Sequence, residues 1–93
     1  MLSKIPISLE NVKKEDIDKE ILRIGVIAEL DAINLYEQLS NMTENESIKK
    51  VLLDIAKEEK THVGEFLALL LKKDEEQVKE IEKGKEEVEE LTK

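Results

Sequence analysis

Two long stretches of this chain carry apolar residues at alternating spacings of three and four, and each carries them on two stripes rather than one. In the first stretch, Ile17, Ile21, Ile24, Ala28, Leu35 and Leu39 form one stripe, and Leu22, Val26, Ile33 and Tyr36 form its neighbour. In the second, Ile48, Leu52, Ile55, Phe66 and Leu69 lie on one side and Leu53, Ala56, Val63, Leu67 and Leu70 on the other. Both stretches read as helices roughly 25 to 28 residues long, each about 40 Å in length. A polar turn, Ser40 to Asn45, joins them into an antiparallel hairpin. A hairpin buries one stripe per helix, so the second stripe needs another chain, and two hairpins forming a four-helix arrangement meet that need. No internal repeat is visible, so the other half of such a bundle has to be a second copy of the same chain. The expected fold class is all-α, with residues 1–93 as a single domain.

The element boundaries follow from turn and capping signals. The single proline, Pro6, sits in an apolar lead (Ile5, Ile7, Leu9) without helical period, which reads as an extended arm. The first helix is expected to start near Val12 to Glu15. Thr43 and Glu46 have the spacing of a capping box for the second helix, which should run to about Lys73. Asp74 with Gln77 can cap a short third helix containing Val78 and Ile81, interrupted at Gly84, with Val88 and Leu91 beyond.

Composition narrows the ligands. At 93 residues an isolated chain buries only a modest share of its apolar surface, so partners are expected. Fifteen basic against 23 acidic side chains give a net charge of −8, which repels phosphate backbones and argues against nucleic acid and anionic membrane. Cations are the natural counter-ligand. There is no cysteine, so any metal must be held by oxygen and imidazole. The longest apolar run, Phe66 to Leu71, is far below the roughly 18 residues of a membrane span, and the N-terminus lacks a signal-peptide pattern. The expected location is the cytoplasm.

Three residues break the stripes. The series Leu22, Val26, Glu29, Ile33, Tyr36 places Glu29 where an apolar residue belongs, and Ile48, Leu52, Ile55, Glu59, His62, Phe66, Leu69 does the same for Glu59 and His62. A carboxylate on such a seam costs several kcal/mol unless it is paired or binds a metal. Glu59 and His62 form an E-x-x-H pair, whose spacing puts both side chains on one helical face, able to ligate one ion. Di-iron bundles use one Glu from each of two helices and one E-x-x-H from each of two others, and one chain supplies half of that set. Two chains about a two-fold axis supply Glu29, Glu59 and His62 twice, which is four carboxylates and two imidazoles for two ions. Such oxygen-rich ligation suits iron, with open positions for dioxygen. Simpler readings stand beside this one. An E-x-x-H arises by chance in a Glu-rich helix, Glu29 alone can pair with a lysine, and His62 can be a satisfied core histidine. All three lying on apolar seams favours the metal site. Tyr36, seven residues after Glu29, is open to two readings: a hydrogen-bonding neighbour of a ligating carboxylate, or an ordinary buried tyrosine.

The segments I-A-E-L-D-A-I-N-L-Y-E-Q (Ile27 to Gln38) and L-L-D-I-A-K-E-E-K-T-H-V-G-E-F-L-A-L-L-L (Leu52 to Leu71) resemble the encapsulated ferritins, small ferritin-like proteins held inside encapsulin compartments. The resemblance implies a two-helix protomer with a short C-terminal helix, dimerising into a ferritin-like four-helix bundle. It implies an iron-oxidising centre completed at a dimer interface, a ring of ten chains, and an encapsulin shell around it. Carried over by position, Glu29, Glu59 and His62 look like the iron ligands, and Tyr36 like the nearby tyrosine. Asp31 resembles an acidic residue that forms metal sites outside the centre, and Ala28 stands where some members carry a second one. Family members are either separate cargo with a docking peptide or a domain fused ahead of the shell protein. No Gly/Leu-rich docking tail follows Leu91, which fits a domain cut from an encapsulin fusion.

The expected activity is ferroxidase: oxidation of two Fe(II) ions to Fe(III) by O2 or peroxide, with ferric product leaving for storage elsewhere in the compartment. One rival keeps the ligands and changes the chemistry, to a rubrerythrin-like peroxide reductase or a manganese protein. Rubrerythrins usually bring a cysteine-ligated electron donor, which this chain lacks. The other rival is a metal-free helical scaffold or adaptor with ion-paired seam carboxylates.

Overall fold

In the computed structural model, which describes residues 8–93, the chain forms α1 (Ile17–Met42), α2 (Glu46–Lys73) and α3 (Glu75–Leu91), preceded by 3-10 turns at Leu9–Asn11 and Lys14–Asp16. No strand occurs among the described residues, so the all-α expectation holds. No helix among them is long and apolar enough to cross a membrane. The extended arm expected around Ile5, Pro6 and Ile7 lies outside the described residues, and Leu9 opens a 3-10 turn. The first α-helix starts a turn later than the sequence suggests. The Asp16 N–H donates to the Lys13 carbonyl at 2.8 Å, a tighter bond than an α-helix makes, so regular helix begins only at Ile17.

The turn between α1 and α2 is built differently from the expected capping box. Asn45 is the cap: its Oδ1 accepts from the Ile48 N–H at 3.0 Å. Glu46 is the first residue of α2, two positions too early to reach back across a box, and the Thr43 hydroxyl instead accepts from the Asn45 N–H. Lys49 Nζ donates to the Ser40 carbonyl at 2.6 Å, satisfying one of the carbonyls left open at the end of α1.

Asp74 forms the corner between α2 and α3. Its Oδ1 accepts from the Gln77 N–H at 3.0 Å, as the sequence suggests, and its Oδ2 accepts from Arg23 Nη2 of α1 at 2.8 Å. The expected interruption at Gly84 is absent: α3 runs through it for 17 residues with no glycine at positive φ. One glycine inside a helix costs about 1 kcal/mol relative to alanine, too little to break a helix capped at its start.

Helices α1 and α2 pack as an antiparallel hairpin in constant register. Lys73 Nζ lies 3.7 Å from Asp18, Gly25 faces Phe66, and His62 faces Glu29, so each step along α1 is matched by an equal step back along α2. Leu22 and Ile33 of α1 and Ala56 and Leu70 of α2 are the buried apolar residues between them. The stripes are uncovered only in part: Ile21 on α1 and Ile48, Leu53 and Leu69 on α2 are about half exposed, and so are Leu30 and Val51, which lie outside the expected stripes, while Ile24, Ala28, Leu35, Leu52 and Ile55 are half-buried. The helix α3 adds Val78, Val88 and Leu91 to the exposed apolar surface.

Two expectations follow. Apolar surface of this extent needs partner chains, so native mass spectrometry at micromolar concentration should show even-numbered assemblies, and a stable, fully folded monomer would contradict this. The second concerns acid. The bond from the Gln77 N–H, and then the Arg23 guanidinium, hold the Asp74 carboxyl below its ordinary pKa against the opposing effect of burial. A carboxyl depressed in the folded state contributes stability that is complete above its unfolded pKa, about 4, and is lost as pH falls through the folded value. Asp74→Ala should therefore lower the melting temperature at pH 7 and flatten its fall below about pH 4. Melts of both proteins across that range check this, and identical acid slopes would refute it.

Candidate metal centre

Glu29 faces α2 because it occupies one position of the Leu22–Ile33 series that packs the hairpin. Glu59 and His62 lie one turn apart on the facing side of α2. The hairpin register brings the three together, with one ligand atom of each within 4.8 Å of the others. His62 Nδ1 is 3.4 Å from Glu59 Oε2 and 3.5 Å from Glu29 Oε2. The two carboxylate side chains retain only 18% and 19% exposure, whereas the imidazole is 44% exposed, so the cluster is buried at its base and open at its mouth.

Glu29 Oε2 is the anomaly of the cluster. It is buried and has no hydrogen-bond partner. Leaving a buried acceptor unsatisfied costs about 1–3 kcal/mol, and more when it is charged. A cation among the three donors would remove that cost, and the two distances from His62 are close to those such an ion sets. Two ligand atoms each about 2.1 Å from a divalent ion, at octahedral to tetrahedral angles, stand about 3.0–3.4 Å apart. Two carboxylates and one imidazole do not fill a coordination sphere, which leaves room for a second chain's ligands or for substrate. The donor set is hard and oxygen-rich, compatible with iron or manganese and with zinc.

The other sequence-predicted residues lie outside the trio. Tyr36 is half-buried two turns beyond Glu29, and no hydrogen bond joins it to Glu29, Glu59 or His62 among the described residues. Asp31 is half-buried on α1, has an interaction of its own, and does not converge with the three ligands. Beside the cluster, one residue stands out that the apolar pattern does not mark. A Cβ on Gly25 would fall 2.9 Å from the Phe66 ring, so α1 and α2 approach closely one turn from Glu29. The only sequence signal for this is a glycine inside an otherwise strong helix, four residues before a seam carboxylate.

The family model described as Rubrerythrin matches residues 20–93. The chain is 64% identical over 73 residues to a ferritin-like–encapsulin shell fusion protein of Pyrococcus furiosus, covering 78% of this chain and 21% of that protein. It is 41% identical over 56 residues to the encapsulin nanocompartment cargo protein EncC of Myxococcus xanthus, covering 60% of this chain and 43% of that one. The chain thus spans less than half the length of either curated relative. Among solved structures, the crystal structure of the encapsulated ferritin domain from Pyrococcus furiosus superposes with a TM-score of 0.84 at 54% identity, covering 99% of this chain and 96% of that chain.

If the trio binds metal, Fe(II) added without oxygen, or Zn(II), should raise the melting temperature of the parent and leave Glu59→Ala nearly unchanged. Metal that binds only the folded, assembled state stabilises it by about 2.7 kcal/mol at a free concentration 100-fold above the dissociation constant. Equal shifts in both proteins would place the metal on the general acidic surface instead.

Proposed function

The chain belongs to the rubrerythrin family and, within it, to the encapsulated ferritins, and from that premise we propose that it is a ferroxidase, oxidising Fe(II) at a two-iron centre shared by two copies of the chain. The observation that carries this reading is the convergence of Glu29, Glu59 and His62 around a buried carboxylate oxygen without a partner. That trio is half of a di-iron carboxylate site, with His62 the most exposed of its three members. A second copy supplies the other half.

In this reading the surplus of acidic residues concentrates Fe(II) near the protein. Glu29 and Glu59 bind as carboxylates and His62 as neutral imidazole, so loading a proton-bearing ligand releases that proton. Each Fe(II) becomes Fe(III) by giving up one electron. Two ions together reduce O2 to H2O2 with uptake of two protons, or reduce one peroxide to two waters with the same uptake. Bound substrate pairs satisfy both requirements of the site at once: they offset the charge of the crowded carboxylates and supply both electrons from one place. Tyr36, two turns along α1 from Glu29, and Asp31, outside the trio, are assigned to the centre's surroundings by resemblance alone, Tyr36 as the nearby tyrosine and Asp31 as an outer acidic residue.

The working unit is a homodimer, repeated in a ring of ten chains and housed in an encapsulin nanocompartment in the cytoplasm. The names of the curated relatives, a shell fusion and a shell cargo protein, support the encapsulin link. Both suit a single domain over residues 1–93, whether fused to the shell or packaged by it. A hairpin pair has no enclosed chamber for mineral, so ferric product passes to the surrounding compartment for iron storage. The metal-free scaffold reading has His62 alone, 3.5 Å from Glu29 and 3.4 Å from Glu59, to offset two carboxylates, and leaves the buried Glu29 oxygen without a hydrogen bond. A rubrerythrin-like peroxide reductase would use the same centre and is set apart by its electron donor, a cysteine-ligated iron for which this chain has no cysteine.

Glu29→Ala, Glu59→Ala and His62→Ala should each slow Fe(II) oxidation by at least about ten-fold, while Glu76→Ala and Glu87→Ala, both exposed on α3, stay near the parent rate. Stopped-flow absorbance of ferric product, with O2 and then with peroxide, reads the rate and identifies the oxidant. Zinc should inhibit the parent, since it fits the ligands and has no accessible redox change. Oxidation by Glu59→Ala at the parent rate would overturn the assignment.

A further inference from the structure

We propose that Gly25 and Phe66 act as a positioning pair for this centre: the Phe66 ring, seated in the notch that Gly25 leaves, sets the separation of α1 and α2 at the layer of Glu29 and His62. The proposal rests on reading the trio as a metal centre. Gly25 lies four residues before Glu29 on α1, and Phe66 four residues after His62 on α2. Because the helices are antiparallel, the Gly25–Phe66 layer sits one turn, about 6 Å, along the hairpin from the Glu29–His62 layer.

The contact is tight at the root of the ring as well as along its edge. A Cβ on Gly25 would meet Cδ1 and Cε1 of Phe66 at 2.9 Å and Cγ at 3.0 Å. Gly64 and Gly84 have nothing within 4 Å of the same position, so close approach is particular to Gly25. Swinging the tip of the side chain cannot relieve a clash that includes Cγ. An added methyl must therefore turn the whole ring or move the helices apart, by roughly 0.5 Å or more to reach ordinary carbon contact.

Such a movement acts unequally on the ligands. Glu59 and His62 share α2, so their 3.4 Å spacing is unaffected, whereas the 3.5 Å from His62 to Glu29 spans the two helices and widens. Two atoms bound to one ion at about 2.1 Å can stand at most about 4.2 Å apart, and only in a straight line through it. A widening of roughly 0.5 Å takes that pair to about 4.0 Å, within reach of that limit and well beyond the roughly 3.0–3.4 Å of ordinary ligand angles, so Gly25→Ala should weaken binding through Glu29 and leave Glu59 and His62 in place.

The test uses Co(II), titrated into the full chain and followed by its visible ligand-field absorption, beside circular dichroism for helicity. Gly25→Ala should bind Co(II) on the order of ten-fold more weakly and alter the band. In a Glu29→Ala background it should add nothing further, which a merely structural role would not produce. Gly25→Ala with Phe66→Leu should recover most of the affinity, because the pair restores nearly the original volume. Affinity of Gly25→Ala within about two-fold of the parent, or an equal loss with and without Glu29, would overturn the proposal and leave only a packing contact. If Gly25→Ala does not fold, Phe66→Leu alone carries the test: weaker binding supports the pair and unchanged binding refutes it. Parent and Glu59→Ala binding Co(II) alike would instead remove the metal centre itself, an outcome distinct from failure of the pair.

Discussion

The structure depends on a carboxylate that its own chain does not satisfy. Glu29 occupies a packing position between the hairpin helices, keeps one oxygen buried, and finds no hydrogen bond for it. An apolar residue there would pack better at no such cost, so the hairpin is less stable than its backbone permits. The residues around Glu29 are ones through which a cation would offset that cost. The register puts His62 opposite, the E-x-x-H spacing puts Glu59 beside it, and the half-exposed imidazole keeps the entrance open.

A second deficit matches the first. The hairpin has too little core for its apolar content, with Ile21, Leu30, Val51 and Leu69 half exposed on faces that nothing among the described residues covers. Unsatisfied charge and uncovered hydrocarbon are different kinds of debt, and a second copy of the chain is suited to both. In the proposed dimer it would cover exposed apolar area and would bring the same three ligands to the same place. Association and metal binding are then favourable for the same geometric reason, and each strengthens the other.

Much of this was legible from residue order because helical period is a strong signal. The doubled stripes identified both long helices, and the positions of Glu29, Glu59 and His62 within them identified the cluster before any distance was known. What residue order did not show was local competition. The Thr43–Glu46 box failed because Asn45, nearer to the helix start, took the capping bond, and Lys49 closed the turn from a distance the capping rules do not consider. The break at Gly84 failed because glycine is a mild helix destabiliser rather than a stop. The closeness of Gly25 to Phe66 was invisible because it depends on how far apart two helices lie, a quantity that no single helix encodes.

The corner at Asp74 makes α3 a lever. One residue outside helical geometry joins the two long arms of a molecule measuring 46 × 43 × 20 Å, and the guanidinium of Arg23 braces it from the first helix. An arm of 17 residues extends about 25 Å, so a rotation of only about 10° at the corner carries its far end roughly 4 Å sideways, most of a helical turn. The direction in which this arm points is therefore governed by two bonds to one carboxylate at its fulcrum, the cap to the Gln77 N–H and the ion pair to Arg23.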